Sequence, residues 1–126
     1  MSRFGFIAAA LLACTTGCSH EHSLEYTLSS DPPRSVLLGD DLIEIPAGVA
    51  VAARIVAIED DARRPDRVRM IPRRVGIIGI EEIADGDHEF ALWGMAPGRS
   101  DVDVFFDGER VLQLEALVTE PRIDAP

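Results

Sequence analysis

The sequence predicts an all-β sandwich, and three features carry that expectation. From Val36 onward, short apolar runs are broken by turn residues at intervals of roughly ten positions, the spacing of a sandwich or barrel. Apolar and polar residues alternate with a period of two on both sides of Asp107-Gly108, as half-buried strands joined by a tight hairpin do. No stretch repeats its apolar residues at the spacing of an amphipathic helix.

Taken in order, Leu42-Ile43-Glu44-Ile45 reads as a strand closing at Pro46-Ala47-Gly48, and Val49 to Ile58 as a long β-branched strand ending at Glu59-Asp60-Asp61. With Arg54 facing water, a period of two points Val51, Ala53, Ile55 and Ala57 inward; Val56 and Ile58 are apolar as well, so the register stays open. Ala62 to Asp66 reads as a turn and Arg67 to Pro72 as an alternating strand. Val75 to Ile80 follows as another, where Gly76 and Gly79 signal a bulge or close packing. Asp85-Gly86-Asp87 turns the chain before Phe90 to Gly94. In the last hairpin Val102, Val104 and Phe106 alternate with Asp101, Asp103 and Phe105, and Leu112, Leu114, Ala116 and Val118 with Gln113, Glu115 and Leu117. About seven strands in roughly ninety residues result, with Trp93 and Phe106 expected as the large core residues.

The chain has 126 residues, enough for one ordinary domain. At 47% hydrophobic and 27% charged it can build a core. Its 22 acidic residues against 12 basic ones give a net charge of -10, which repels phosphate backbones and disfavours nucleic acid as a partner.

Residues 1–18 run from Met1-Ser2-Arg3 through an apolar stretch, Phe4 to Ala13, into Cys14-Thr15-Thr16-Gly17-Cys18. A basic start, a short apolar run and small residues form a secretory leader, too short to span a bilayer as a mature helix. The approach to cysteine resembles the lipobox of bacterial lipoproteins, in which the cysteine after the cleaved bond is diacylated. Two cysteines compete. Leu11-Leu12-Ala13-Cys14 has the aliphatic residue usual in that motif, whereas cutting before Cys18 leaves a leader of ordinary length and discards Cys14, so that no stray thiol reaches an oxidising compartment. Cys18 is the expected lipidation site, with Cys14 the alternative. The residue after either cysteine is Thr or Ser rather than Asp, which by the same resemblance implies the outer membrane. Residues 19–35 read as a polar, Pro-containing tether, in which Leu24, Tyr26 and Leu28 alternate as a short edge strand would. The body is expected over 36–120, with a tail over 121–126.

Ile45-Pro46-Ala47-Gly48, the long strand ending in acidic residues, and Gly94-Met95-Ala96-Pro97-Gly98-Arg99-Ser100-Asp101-Val102-Asp103-Val104 together resemble the bacterial immunoglobulin-like domains of intimins and invasins. The resemblance covers Val36 to Val118 and implies an Ig-like β-sandwich acting in a surface protein. One departure is Met70, where the family usually places Trp or another bulky residue. A lesser resemblance, through the apolar-Gly-apolar-Pro-Gly pattern, is to the N-terminal domain of pilus-type secretins, whose pore-forming region has no counterpart here.

Four constellations could carry chemistry. His20-Glu21-His22 beside Cys18 offers imidazoles and a thiol for Zn or Cu, although acylation would remove the thiolate and the amine. Asp85, Asp87 and Glu89 carry oxygen ligands for Ca without the full loop pattern, so no metal site is assigned beyond this weak candidate. Asp101 and Asp103 share a strand face, which alternation explains as the solvated side. Six arginines fall between Arg63 and Arg74. Of these Arg63, Arg64, Arg73 and Arg74 are candidates for docking phosphate or carboxylate groups on a partner, the alternative being internal pairing with Glu59, Asp60 and Asp61. The chain has no Gly-x-Ser-x-Gly and no phosphate-cradling loop.

The sequence therefore leads to the expectation of a non-enzymatic outer-membrane lipoprotein without cofactor. Its anchor would place it on the membrane, and its Ig-like domain would serve structure or meet another envelope protein. The alternative is an accessory lipoprotein binding an anionic surface glycan or Ca.

Overall fold

The computed structural model describes residues 21–29, 31–32, 36–84 and 87–121. Ten strands follow one another: β1 (His22–Leu28), β2 (Leu37–Leu38), β3 (Leu42–Pro46), β4 (Ala50–Glu59), β5 (Ala62–Arg64), β6 (Val68–Pro72), β7 (Ile78–Ala84), β8 (Glu89–Gly94), β9 (Gly98–Phe106) and β10 (Glu109–Thr119). The described residues contain no helix.

The strands form two sheets. The first has the order β1-β4-β8-β7 with β5 added to β4, and the second the order β2-β3-β10-β9-β6. Every ladder is antiparallel except that of β3 with β10. Leaving aside the short strands β2 and β5 and strand β3, which adds parallel to β10, this is the immunoglobulin-like arrangement, with β1, β4, β8 and β7 in the places of A, B, E and D and β6, β9 and β10 in those of C, F and G. The chain crosses between sheets at Pro46-Ala47-Gly48, the predicted stop. There Gly48 has a φ of 84°, and the amide N–H groups of Ala47 and Gly48 donate to the carbonyls of Thr119 and Gly94.

The core is the product of alternation. Val51, Ala53, Ile55 and Ala57 of β4 all point inward, as expected, and meet Ile43, Ile45, Val102, Val104, Ala116 and Val118 of the opposite sheet. Phe106 is buried and Phe105 half-buried. Met70, at the position where the Ig-like resemblance expects a bulkier residue, is a core residue at 5% exposure. The β9–β10 turn has φ of 51° at Asp107 and 85° at Gly108, the primed hairpin geometry that Asp-Gly favours.

Four expectations need correction. Trp93 is not a core residue: on β8 the inward positions are Phe90 and Leu92, so the period of two sends Trp93 outward, where it covers Gly79. The strand expected to begin at Val75 begins at Ile78; Val75 is fully exposed, and Gly76, with a φ of 90°, belongs to a turn rather than a bulge. Ala62–Arg64 is not a turn but strand β5, because Asp60 and Asp61 themselves take positive φ of 51° and 65° and close a hairpin. Finally, part of the 19–35 tether is structural: His22–Leu28 pairs along its whole length with β4, and Leu24 is buried. The leader with Cys14 and Cys18 and the tail from 122 on lie outside the described residues.

Candidate functional site

The arginines that cluster in sequence separate in space. Arg63 and Arg64 belong to β5 in the first sheet, whereas Arg73 and Arg74 follow β6 in the second. Between the two pairs runs the length of β6, about 16 Å at ~3.3 Å per residue. The four candidates therefore do not form one docking face.

Arg73 and Arg74 are engaged locally. The Arg73 guanidinium donates twice to Asp103, through Nε at 2.9 Å and Nη2 at 3.0 Å. Arg110 lies on the same carboxylate at 3.5 Å. The hydrogen bond from Arg73 is the main reason that the Asp103 carboxyl is held below the usual carboxylate range, and the same bond raises Arg73. Arg74 donates through Nη1 to the Arg99 carbonyl at 2.9 Å. Its backbone N–H donates to the hydroxyl of Ser100, a buried side chain whose own hydrogen goes to the Asp101 carbonyl. Asp101 and Asp103 thus serve the solvated face of β9, Asp103 as an arginine partner.

Arg63 and Arg64 border a different feature. On the outer face of the first sheet a depression of about 380 Å³ is lined by Glu25 and Thr27 of β1, Arg54 of β4, Arg63 and Arg64 of β5, and His88 just before β8. Its shape follows from the sheet: β5 and β8 both pair with β4 on the same side, β5 over 57–59 and β8 over 50–54, and the gap between them opens above Arg54 and Val56. His88 closes one side with a φ of 59°, its carbonyl accepting from the Ile55 N–H at 2.8 Å. Arg63 reaches across β4 to Glu25 at 2.7 Å. Arg64 sits 3.5 Å from Glu59 and 3.8 Å from Asp66. Arg54 is exposed and, among the described residues, has no ion pair. Internal pairing therefore involves Glu59, as the sequence allowed, and Asp66, two residues from Arg64, but also Glu25 and Asp103, which are distant in sequence.

The same outer face carries Trp93. A β-carbon at Gly79 would fall 2.0 Å from Cε2 and 2.2 Å from Cζ2 of the indole, so the ring rests directly on the Gly79 backbone. Around it the outward positions are small: Ala50 pairs with Trp93, and Ala52 with Ala91. Sequence reasoning missed His88 and Trp93 as surface groups and did not assign Arg54 to a site. Arg54 was legible as solvent-facing, but only the ladder register shows that it shares its face with Trp93.

The metal candidates do not assemble among the described residues, which contain no group of three or more His, Cys, Asp or Glu placed to hold an ion. Asp85 and His20 lie outside the described residues, and the Glu89 carboxylate accepts the Ser29 hydroxyl at 2.9 Å. His22 stands edge-on to Phe106 at 5.7 Å and 3.7 Å from Glu59. Tyr26 has a buried hydroxyl with no partner among the described residues. Burial, helped by Asp40, pushes its phenol well above the ordinary range.

No protein-family model matches the chain, and no curated protein matches it. Among solved structures, the fold is similar to a crystal structure of domains 4 and 5 of the S-layer protein SbsC. The TM-score is 0.50 at 9% identity, over 83% of this chain and 79% of that one. That likeness concerns the fold alone.

Proposed function

We propose that the protein is a lipid-anchored protein of the cell envelope, held in the outer membrane through Cys18, whose Ig-like domain serves as a structural or protein-interaction module. The observation that carries this reading is the leader ending in Leu11-Leu12-Ala13-Cys14 and Thr15-Thr16-Gly17-Cys18, followed within a few residues by a sandwich that begins at His22. Such a connection keeps the body close to its anchor. The resemblance of the body to intimin and invasin domains favours a binding or scaffolding role over catalysis.

The mass of the mature N-terminus tests it. A diacylated peptide beginning at Cys18 is expected; a peptide diacylated at Cys14, or an unmodified start elsewhere, overturns the assignment of Cys18, and the unmodified start overturns the anchor as well.

A second reading, an accessory lipoprotein that binds an anionic glycan, is favoured by the arginine-lined depression above Arg54. A ligand that binds only the folded state raises its melting temperature, so thermal unfolding with and without such a glycan separates the two readings.

A further inference from the structure

We infer that the outer face of the β1-β4-β8-β7 sheet is a binding surface for an acidic polysaccharide, with Arg54 receiving a carboxylate and Trp93 receiving the face of a sugar ring. This deepens the ligand-binding reading and rests on it, but not on the lipid anchor.

Three observations meet on this face. First, it gathers arginines. On a chain of net charge -10, Arg54, Arg63 and Arg64 converge on one depression. Glu25 engages Arg63, and Glu59 and Asp66 engage Arg64, which leaves the Arg54 guanidinium, five donors in a planar fork, in the floor without an ion pair among the described residues. A carboxylate is the group that such a fork receives bidentately.

Second, the ring of Trp93 lies against the Gly79 backbone, and the residue is half-buried, so part of the indole stays open to solvent on this face. A pyranose presents a flat array of C–H groups to such a surface, the aromatic face carrying the negative side of the ring quadrupole.

Third, the two features lie in line. Ala50 pairs with Trp93 and Arg54 with Glu89 along the same ladder, about 13 Å apart at ~3.3 Å per residue. Only Ala52 and Ala91 stand in the row between them. A few linked sugar rings cover that distance over side chains too small to obstruct them.

The alternatives fit less well. A polyanion as dense as a nucleic acid meets the overall negative charge. An extended peptide seeks a free strand edge, where backbone groups are available, whereas this is a sheet face whose central strands β4 and β8 are paired on both sides.

Trp93 is the single tryptophan of the chain, so its emission reports on this surface alone. The test titrates the detergent-solubilised full-length protein with hexagalacturonate. Expected is a saturable change in Trp93 emission that weakens as salt is raised. Arg54→Gln should weaken binding tenfold or more, while Arg69→Gln, an exposed substitution on the other sheet, should leave it unchanged. Calorimetry on Trp93→Ala should show a comparable loss. Absence of saturable binding overturns the inference, as does equal weakening by Arg69→Gln. Equal affinity for polyglutamate would assign the face to acidic peptides, and equal affinity for neutral maltohexaose would remove the role of Arg54; either result overturns it. None of these failures touches the N-terminal mass that tests the anchor.

Discussion

The indole of Trp93 occupies the space that a side chain at position 79 would need. Gly79 and Trp93 face each other across the β7–β8 ladder, and a β-carbon on Gly79 would overlap three ring atoms, none farther than 2.6 Å. Glycine in a strand interior gives up packing and ordering entropy. Here the ring covers the exposed backbone and replaces the missing side chain, which fixes the rotamer of the tryptophan that the proposed glycan surface uses.

Gly79→Ala should therefore displace the indole and destabilise the fold by about 1–3 kcal/mol, as overpacking does. Chemical denaturation gives the loss, and a shift in native-state Trp93 emission gives its cause. An unchanged spectrum with unchanged stability would mean that the ring does not rest on Gly79.

The two phenylalanines of β9 should behave oppositely. Phe106 is 4% exposed, whereas Phe105 is half-buried among outward groups. Phe106→Ala should cost about 3–5 kcal/mol and Phe105→Ala under roughly 1. Equal costs in urea denaturation would mean that something covers the outer face of this sheet.

Tyr26 gives a prediction of the other sign. Its hydroxyl is buried without a partner among the described residues, and an unmade hydrogen bond at a desolvated oxygen costs about 1–3 kcal/mol. Tyr26→Phe should leave stability unchanged or raise it by about 1 kcal/mol. Because burial raises the folded-state pKa of the phenol above its unfolded value, its contribution to stability is complete below that unfolded value, ~10, and declines as the pH rises beyond it. Tyr26 is the single tyrosine, so phenolate absorbance at alkaline pH should appear together with unfolding. Ionisation of the still-folded protein at the ordinary value would refute the burial.

Much of the fold was legible because both inner faces obey one period. Ile43 and Ile45, the even-numbered valines of β9 and the inward set of β4 are buried where alternation puts them. What failed were decisions that alternation leaves to other forces. Size alone sends Trp93 inward, but its parity is fixed by Phe90 and Leu92. Asp60-Asp61 was not recognised as a hairpin turn because positive φ is most readily taken by glycine or asparagine; pairing of β5 with β4 holds it there. The candidate site was the least legible part. Arg63 and Arg73 lie ten residues apart on one basic stretch, yet their partners Glu25 and Asp103 come from β1 and β9, and nothing local in the sequence says which arginines find a carboxylate.

The engagement of Arg73 yields the last prediction. Asp103 lies under two guanidinium groups, Arg73 through a two-pronged hydrogen bond and Arg110 at 3.5 Å. The hydrogen bond from Arg73 is the first cause of its lowered pKa, and Coulombic attraction to both arginines adds to it. With the folded pKa below the unfolded one, the stability contributed by this carboxylate is present above the unfolded value, ~3.9, and is lost as the pH falls through the folded value. Solvent screens an exposed pair, so the site itself, rather than global stability, is the place to measure. Carboxyl-carbon NMR should show Asp103 titrating below the usual carboxylate range in the native protein. Arg73→Gln should move it most of the way back to the ordinary range, and Arg110→Gln by less, since Arg110 stands farther from the carboxylate. If Asp103 titrates at the ordinary position in the unaltered protein, Arg73 is not committed to it, and a docking role for Arg73 and Arg74 on the second sheet regains its footing.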